Sequence, residues 1–280
     1  MEPLTLRQAL AWHWPEYLIE GWALGMFMIS AGLFTILLES GASPVHALIA
    51  NADLRRALIG LSMGLTAVAL IYSRWGQRSG AHMNPAVTLT FLLLGKIHAW
   101  DAVFYCIAQF IGGLAGVYVV WAVAGNAFAA PDVNFIATLP GAAGAGAAFA
   151  AEAGISALLM LTVLEVSARP LLAPYTGLCA GILVATFITF EAPVSGMSMN
   201  PARSFASAAP AGLWQHFWIY VSAPMIGMAG IALARRMLSA PAGCAKLAHL
   251  AGVRCIHCGY DPRAERPQVR RPTDRSGVSA

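Results

Sequence analysis

The chain has 280 residues, of which 58% are hydrophobic and only 11% are charged. Soluble proteins carry about 25% charged residues, so this composition excludes a soluble enzyme and leaves room for several membrane spans. Residues 1–238 carry ten Lys/Arg and ten Asp/Glu, whereas residues 239–280 carry seven and three, so the net charge of +4 lies in the tail. A basic tail is typical of a cytoplasmic flank of a membrane protein, which we prefer to nucleic-acid binding.

Apolar segments of spanning length predict six transmembrane helices in chain order. We expect no cleavable signal peptide, because residues 1–15 mix polar and apolar side chains and instead suit an interfacial helix. The predicted spans cover residues 17–38, 57–73, 102–124, 147–166, 175–190 and 217–238.

One short sequence occurs twice between these spans. Residues 79–86 read Ser-Gly-Ala-His-Met-Asn-Pro-Ala, and residues 195–202 read Ser-Gly-Met-Ser-Met-Asn-Pro-Ala, with six of eight positions identical. Asparagine favours the N-cap of a helix and proline favours the first helical position. Asn84 and Asn200 are therefore predicted to begin two helices.

Both of these helices are too short to cross a bilayer. The first is predicted from Pro85 to about Leu94, and the second from Pro201 to about Ala209, where Pro210 would end it. About 20 residues are needed to span, so we expect two re-entrant half-helices that line a cavity near the bilayer midplane. Their N-termini would place partial positive charge there, which disfavours cations and protons but not neutral solutes.

The spans and the two boxes divide the chain into related parts. We predict an N-terminal segment (1–15), a channel domain (16–238) made of two repeats (16–124 and 147–238), and a basic tail (239–280). With three spans in each repeat, the second repeat must be inverted relative to the first.

The two boxes resemble the paired Asn-Pro-Ala boxes of the aquaporin (major intrinsic protein) family, over about residues 16–238. The resemblance implies an all-α membrane protein with six transmembrane helices and two re-entrant half-helices, assembled as a homotetramer with one pore per subunit. Transport by this family requires no cofactor. The box residues are Asn84, Pro85, Ala86, Asn200, Pro201 and Ala202.

The resemblance also implies an outer selectivity filter. Arg203 would donate hydrogen bonds to the solute and repel cations there, and Ser204 after it is the pattern of water channels rather than of glycerol channels. The remaining filter positions would be Met63, Ile188 and Met197, which are apolar where strict water channels have histidine or phenylalanine at two of them. Fewer polar partners should penalise water and favour larger or less polar neutral solutes.

Two carboxylates lie within predicted spans, at Glu20 and Glu152. They are either a proton relay of a coupled transporter or acceptors for unpaired N–H groups of the re-entrant loops. The resemblance implies the second role, and it places His82 on the pore wall rather than in a metal site.

The tail carries three of the five cysteines, and two of them form a Cys-x2-Cys pair. Cys244, His249, Cys255 and Cys258 are four candidate zinc ligands. The alternatives are a metal shared between tail copies in an oligomer and an unliganded thiol pair in a flexible tail. From Asp261 onward the Pro/Arg-rich composition predicts disorder.

We therefore expect a passive channel for water or small uncharged solutes, in a bacterial-type inner or plasma membrane with both termini cytoplasmic. The alternatives are a facilitator mainly for glycerol-like solutes, a coupled secondary transporter, and a membrane scaffold or sensor that acts through its tail. No catalytic constellation is evident, so we do not expect an enzyme.

Overall fold

A computed structural model of the chain describes residues 4–240, 242–249 and 253–260. The predicted disorder from Asp261 onward lies outside these residues. Within them the regular structure is helical, with two short 3-10 helices at Asn134–Ile136 and Ala173–Tyr175. The α-helices are α1 (Leu6–Glu39), α2 (Pro44–Leu48), α3 (Ala52–Tyr72), α4 (Arg74–Ser79), α5 (Pro85–Leu93), α6 (Ala99–Ala124), α7 (Asn126–Ala129), α8 (Gly144–Ser167), α9 (Thr176–Phe190), α10 (Ala192–Ser195), α11 (Pro201–Ala211) and α12 (Phe217–Met237).

Six helices among the described residues are long and apolar enough to cross a membrane, as predicted. They are α1, α3, α6, α8, α12, and α9 together with the 3-10 helix before it. The predicted half-helices correspond to α5 and α11, which are 9 and 11 residues long.

Helix α1 begins earlier than the predicted first span. Thr5 caps it, and the side chain of Gln8 accepts a hydrogen bond from the Thr5 N–H, which completes a capping box. Residues 6–15, expected as an interfacial helix, therefore form the first turns of α1.

The predicted end of the second half-helix at Pro210 was wrong. Helix α11 includes Pro210 and continues to Ala211. Proline fixes only its own φ near the helical value, which the last turn accepts. The helix ends instead because Gly212 adopts a left-handed conformation (φ +67°) and its N–H donates to Ala208 and Ala209 carbonyls.

The long helices pack in three pairs, one within each half of the chain and one between the halves. Helix α1 packs along α6, α3 along α9, and α8 along α12. Small residues permit the closest of these approaches: a Cβ added at Gly25 would lie 2.8 Å from the Gly112 carbonyl oxygen. The half-helices contact this bundle, with α5 against α6 and α12, and α11 against α6 and α12.

Polar contacts identify the helix ends that share one side of the bundle, which we call the tail side. His13 near the start of α1 bonds Asp101 near the start of α6, at 2.8 Å. Arg235 near the end of α12 pairs with Glu165 near the end of α8. The adjacent Arg236 donates to the Leu93 carbonyl at the end of α5, shortly before α6 begins. The tail follows the end of α12 and therefore begins on this side.

Candidate functional site

The two boxes form two irregular loops with the same backbone conformation. In the first, Ala81 and Met83 have φ of 54° and 51°, and in the second Met197 and Met199 have φ of 50° and 54°. Such left-handed residues cost roughly 1–3 kcal/mol each and persist only where the surroundings hold them. The matched strain indicates that tertiary contacts fix both loops.

Glu20 supplies these contacts for the first box. Its carboxylate accepts hydrogen bonds from the Ser79 hydroxyl at 2.7 Å, the His82 N–H at 3.0 Å and the Met83 N–H at 2.7 Å. The Gln109 amide donates a fourth bond at 2.9 Å. Glu20 is completely buried, so its carboxylate satisfies loop N–H groups that would otherwise lack a partner.

Glu152 occupies the equivalent place in the second half. It accepts from the Ser195 hydroxyl, the Ser198 N–H and the Met199 N–H, each at 2.7 Å, and it is also completely buried. The donors match those of the first box position by position.

The two asparagines cap their own half-helices and bond to each other's loops. Asn84 Oδ1 accepts from the Ala86 N–H at 2.9 Å, and Asn200 Oδ1 accepts from the Ala202 N–H at 3.0 Å. The side-chain NH2 of Asn84 donates to the Met199 carbonyl, and that of Asn200 donates to the Met83 carbonyl, both at 2.7 Å. The N-termini of α5 and α11 therefore meet, and each amide retains a second N–H.

A cavity of about 520 Å³ runs past this junction. Most of the predicted pore residues line it, namely Met63, His82, Asn84, Ile188, Met197, Asn200 and Arg203. The other box residues, Pro85, Ala86, Pro201 and Ala202, are buried at the starts of the half-helices. Among the described residues, neither Glu20 nor Glu152 lines the cavity.

Arg203 presents its guanidinium to this cavity. Its Nη1 donates to the Ile136 carbonyl at 2.9 Å, and none of the ion pairs between described residues includes it. The guanidinium has five N–H donors, so several remain available for a solute.

A second cavity-lining arginine, Arg56, was missed by sequence reasoning. Its Nε donates to the Thr189 carbonyl at 2.8 Å, and its Nη2 pairs with Asp53 at 2.5 Å. The signal was present, because Arg56 lies seven residues before Met63 and hence on the same face of α3.

Burial affects a carboxyl group next to the second box. Desolvation is the main cause that raises the pKa of Glu191 to about 7, with a smaller lowering by the Ser195 hydroxyl and a smaller raising by the Glu152 charge. Both Glu191 carboxyl oxygens are buried without a hydrogen-bond partner among the described residues.

The four predicted metal ligands of the tail do come together. One ligand atom from each of Cys244, His249, Cys255 and Cys258 lies within 4.8 Å of all the others. Cys244 Sγ and Cys255 Sγ are 3.5 Å apart, and Cys258 Sγ and His249 Nε2 are 3.4 Å apart. This Cys/His cluster could bind a metal ion.

The tail also reaches the cavity, which no sequence signal indicated. Leu247 lines the cavity and is 7% exposed. The Ala245 carbonyl lies 2.5 Å from His82 Nε2, and the Leu247 N–H donates to the Gly80 carbonyl at 3.4 Å. The tail therefore contacts the first box directly.

Comparisons with known proteins agree with this architecture. The family model described as Major intrinsic protein matches residues 18–234. A probable aquaporin, AqpM, of Archaeoglobus fulgidus is 32% identical over 79% of this chain and 94% of its own length. A glycerol uptake facilitator-like protein of Lactiplantibacillus plantarum is 35% identical over 64% of this chain and 84% of its own length.

A solved structure supports the fold. The crystal structure of the aquaglyceroporin from Plasmodium falciparum superposes with a TM-score of 0.67, at 17% identity, over 79% of this chain and 94% of that one. Together with the family match over residues 18–234, this means that the chain belongs to the major intrinsic protein family, the family of the aquaporins.

Proposed function

We propose that the protein is a passive membrane channel for water and small uncharged solutes. The observation that carries this proposal is the cavity wall, on which Asn84 and Asn200 sit where the N-termini of two half-helices meet. Each amide has an N–H left to donate to a passing oxygen, and nothing in this arrangement needs bond-making chemistry.

The same geometry supports the exclusion of cations and protons. Helix N-termini carry partial positive charge, and two of them face the lumen together. Arg203 and Arg56 both line the cavity, and Asp53 offsets the charge of Arg56. Glu39 on the wall is paired with Arg55, so the unpaired positive charge among the described wall residues is that of Arg203, which repels a cation but not a neutral molecule.

The filter supports a preference that differs from that of strict water channels. Met63, Ile188 and Met197 contribute apolar surface beside Arg203. A facilitator mainly for glycerol-like solutes is therefore the second candidate, because an apolar wall offers water few hydrogen bonds and accepts carbon-bearing solutes.

Stopped-flow light scattering on proteoliposomes in buffer with a membrane-permeant zinc chelator tests both candidates, with empty liposomes as the baseline. We expect water and glycerol both to enter faster than the baseline, and Ile188→His to lower the ratio of glycerol to water flux. Thr186→Val, an exposed change on the same helix, is the matched control. A flux ratio unchanged by Ile188→His would contradict the proposed filter.

The orientation, membrane and assembly follow from charge and family resemblance. We propose an inner or plasma membrane protein with both termini cytoplasmic, because short tail-side segments are rich in basic residues. These residues are Arg7, Arg74, Arg78, Lys96 and Arg169. The resemblance supports a homotetramer, and cross-linking in native membranes would test it.

We further propose that the Cys/His cluster binds zinc. Three thiolates and one imidazole form a usual structural zinc set, with Zn–S distances of about 2.3 Å and hence sulfur separations of about 3.8 Å. The Cys244–Cys255 separation of 3.5 Å is close to that value. Metal analysis of purified protein should find one zinc per chain, and loss of that zinc in Cys258→Ser would support these ligands.

A further inference from the structure

We propose that the C-terminal tail is a zinc-held gate that closes the tail side of the channel. The inference rests on the proposed channel and on the proposed zinc site, and it adds a regulatory role for the metal. Zinc-bound protein would be closed, and zinc-free protein would be open.

The first support is the position of the segment that enters the channel. Cys244 and His249 are separated by four residues, which include Ala245 and Leu247 in contact with the first box. The Lys246 ammonium donates to the Arg78 carbonyl, and Lys246 is 4% exposed. Two candidate ligands therefore flank the docked segment directly.

The second support is that this segment lines the cavity proposed as the permeation path. Leu247 contributes an apolar side chain to the cavity wall and belongs to the same buried cluster as the core of the bundle. His82 also lines the cavity, and both its ring nitrogens are engaged, with Thr88 Oγ1 at 3.0 Å and with the Ala245 carbonyl at 2.5 Å. The polar atom that His82 would offer to a solute is thus bonded to the tail.

The third support is a second contact, from the other pair of candidate ligands. His257 lies between Cys255 and Cys258 and packs against His82 and Tyr105, with ring centroids 6.2 and 5.9 Å away. It is only 6% exposed, so its ring is buried against the channel. Each pair of candidate ligands, Cys244 with His249 and Cys255 with Cys258, therefore flanks a residue that contacts the channel.

The metal matters because no regular secondary structure holds the described tail residues in place. The described residues 242–249 and 253–260 contain no helix or strand. Ordering such segments costs backbone entropy at every residue, which a few hydrogen bonds and buried side chains offset only in part. Structural zinc supplies folding free energy to small loops of this kind, so its removal should release Leu247 from the cavity.

The test is the osmotic water permeability of full-chain proteoliposomes, measured with buffered zinc and then with a membrane-permeant zinc chelator. Zinc content is measured on the same samples. We expect chelation to raise water permeability by at least about fivefold, the lower end of usual allosteric coupling, and zinc addition to reverse the change.

Variants distinguish the effect of the bound metal from the effect of the Leu247 side chain in the cavity. Cys258→Ser removes an exposed ligand and should give high permeability that no longer responds to zinc, whereas Cys179→Ser in α9 should behave like the parent. Leu247→Ala should retain zinc and yet conduct faster in its presence. Because Leu247→Ala changes no metal ligand, this variant still tests the gate if Cys258→Ser folds poorly.

The outcomes distinguish the inference from the function on which it rests. Zinc bound at one per chain with equal permeability in zinc and chelator would overturn the gate and leave the channel intact. Absence of bound zinc, or faster flux with zinc, would also overturn it. Permeability equal to that of empty liposomes in every condition, Leu247→Ala included, would overturn the channel itself and the gate with it.

Discussion

At the residue scale, Glu20 and Glu152 show how a buried charge can be structural. Each carboxylate is fully buried, bonded to two backbone N–H groups of its box, and absent from the described cavity lining. This favours the loop-support interpretation over a proton relay, because a relay needs contact with the permeation path.

Glu152→Gln tests that interpretation. The glutamine side chain has an NH2 where Glu152 has a carboxylate oxygen, so one loop donor loses its acceptor. An unsatisfied buried group costs about 1–3 kcal/mol. We expect a lower melting temperature in detergent and fewer conducting channels. Asp53→Asn, whose side chain is 82% exposed, should change the melting temperature little. An unchanged melting temperature together with lost pH-driven uptake would instead support a proton relay.

Glu191 should make stability depend on pH. Its pKa is about 7 in the folded protein, against 4.5 as the ordinary value, because burial disfavours the charged form. The folded state then binds more protons between those values, so stability falls as pH rises through that window.

Glu191→Gln should remove this dependence. We expect the variant to melt at a higher temperature than the parent at about pH 8, with the difference shrinking at about pH 5. Melting curves of both proteins across this range give the measurement. A difference that is constant with pH would show that Glu191 does not titrate there.

At the element scale, the sequence predicts most of the helices but not all of their ends. Hydropathy and the repeated box are local signals, so α3, α5 and α6 were expected near their observed places. The extension of α1 depends on a cap at Thr5, and the continuation of α11 depends on Gly212, both of which are details of local geometry.

The packing of α1 on α6 gives a prediction of its own. A Cβ at Gly112 would overlap the backbone of Gly21, whereas a Cβ at Gly154 in α8 would meet nothing within 4 Å. Gly112→Ala should therefore lower the melting temperature, since backbone must shift. Gly154→Ala should leave it unchanged or raise it, because alanine favours a helix by roughly 0.5–1 kcal/mol. Equal effects of the two variants would contradict the close helix contact.

At the scale of the whole molecule, the paired boxes and Arg203 were predictable because each carries its own motif. The cavity-lining role of Arg56 was readable from helical spacing. The contact of Leu247 with the pore was not, because it depends on how a segment without regular structure folds back on the first box. Sequence spacing indicates that four ligands exist, but not where the residues between them lie.

The most direct test of the channel itself is to measure water flux and proton leak in the same proteoliposomes, in zinc chelator. We expect water permeability well above that of empty liposomes, with a proton leak no greater than theirs. We also expect Arg203→Ala to raise the leak while water still passes, because one positive charge leaves the wall. Solute uptake driven by a pH gradient, or a proton leak that rises in step with water flux in the parent protein, would contradict a passive channel that excludes protons.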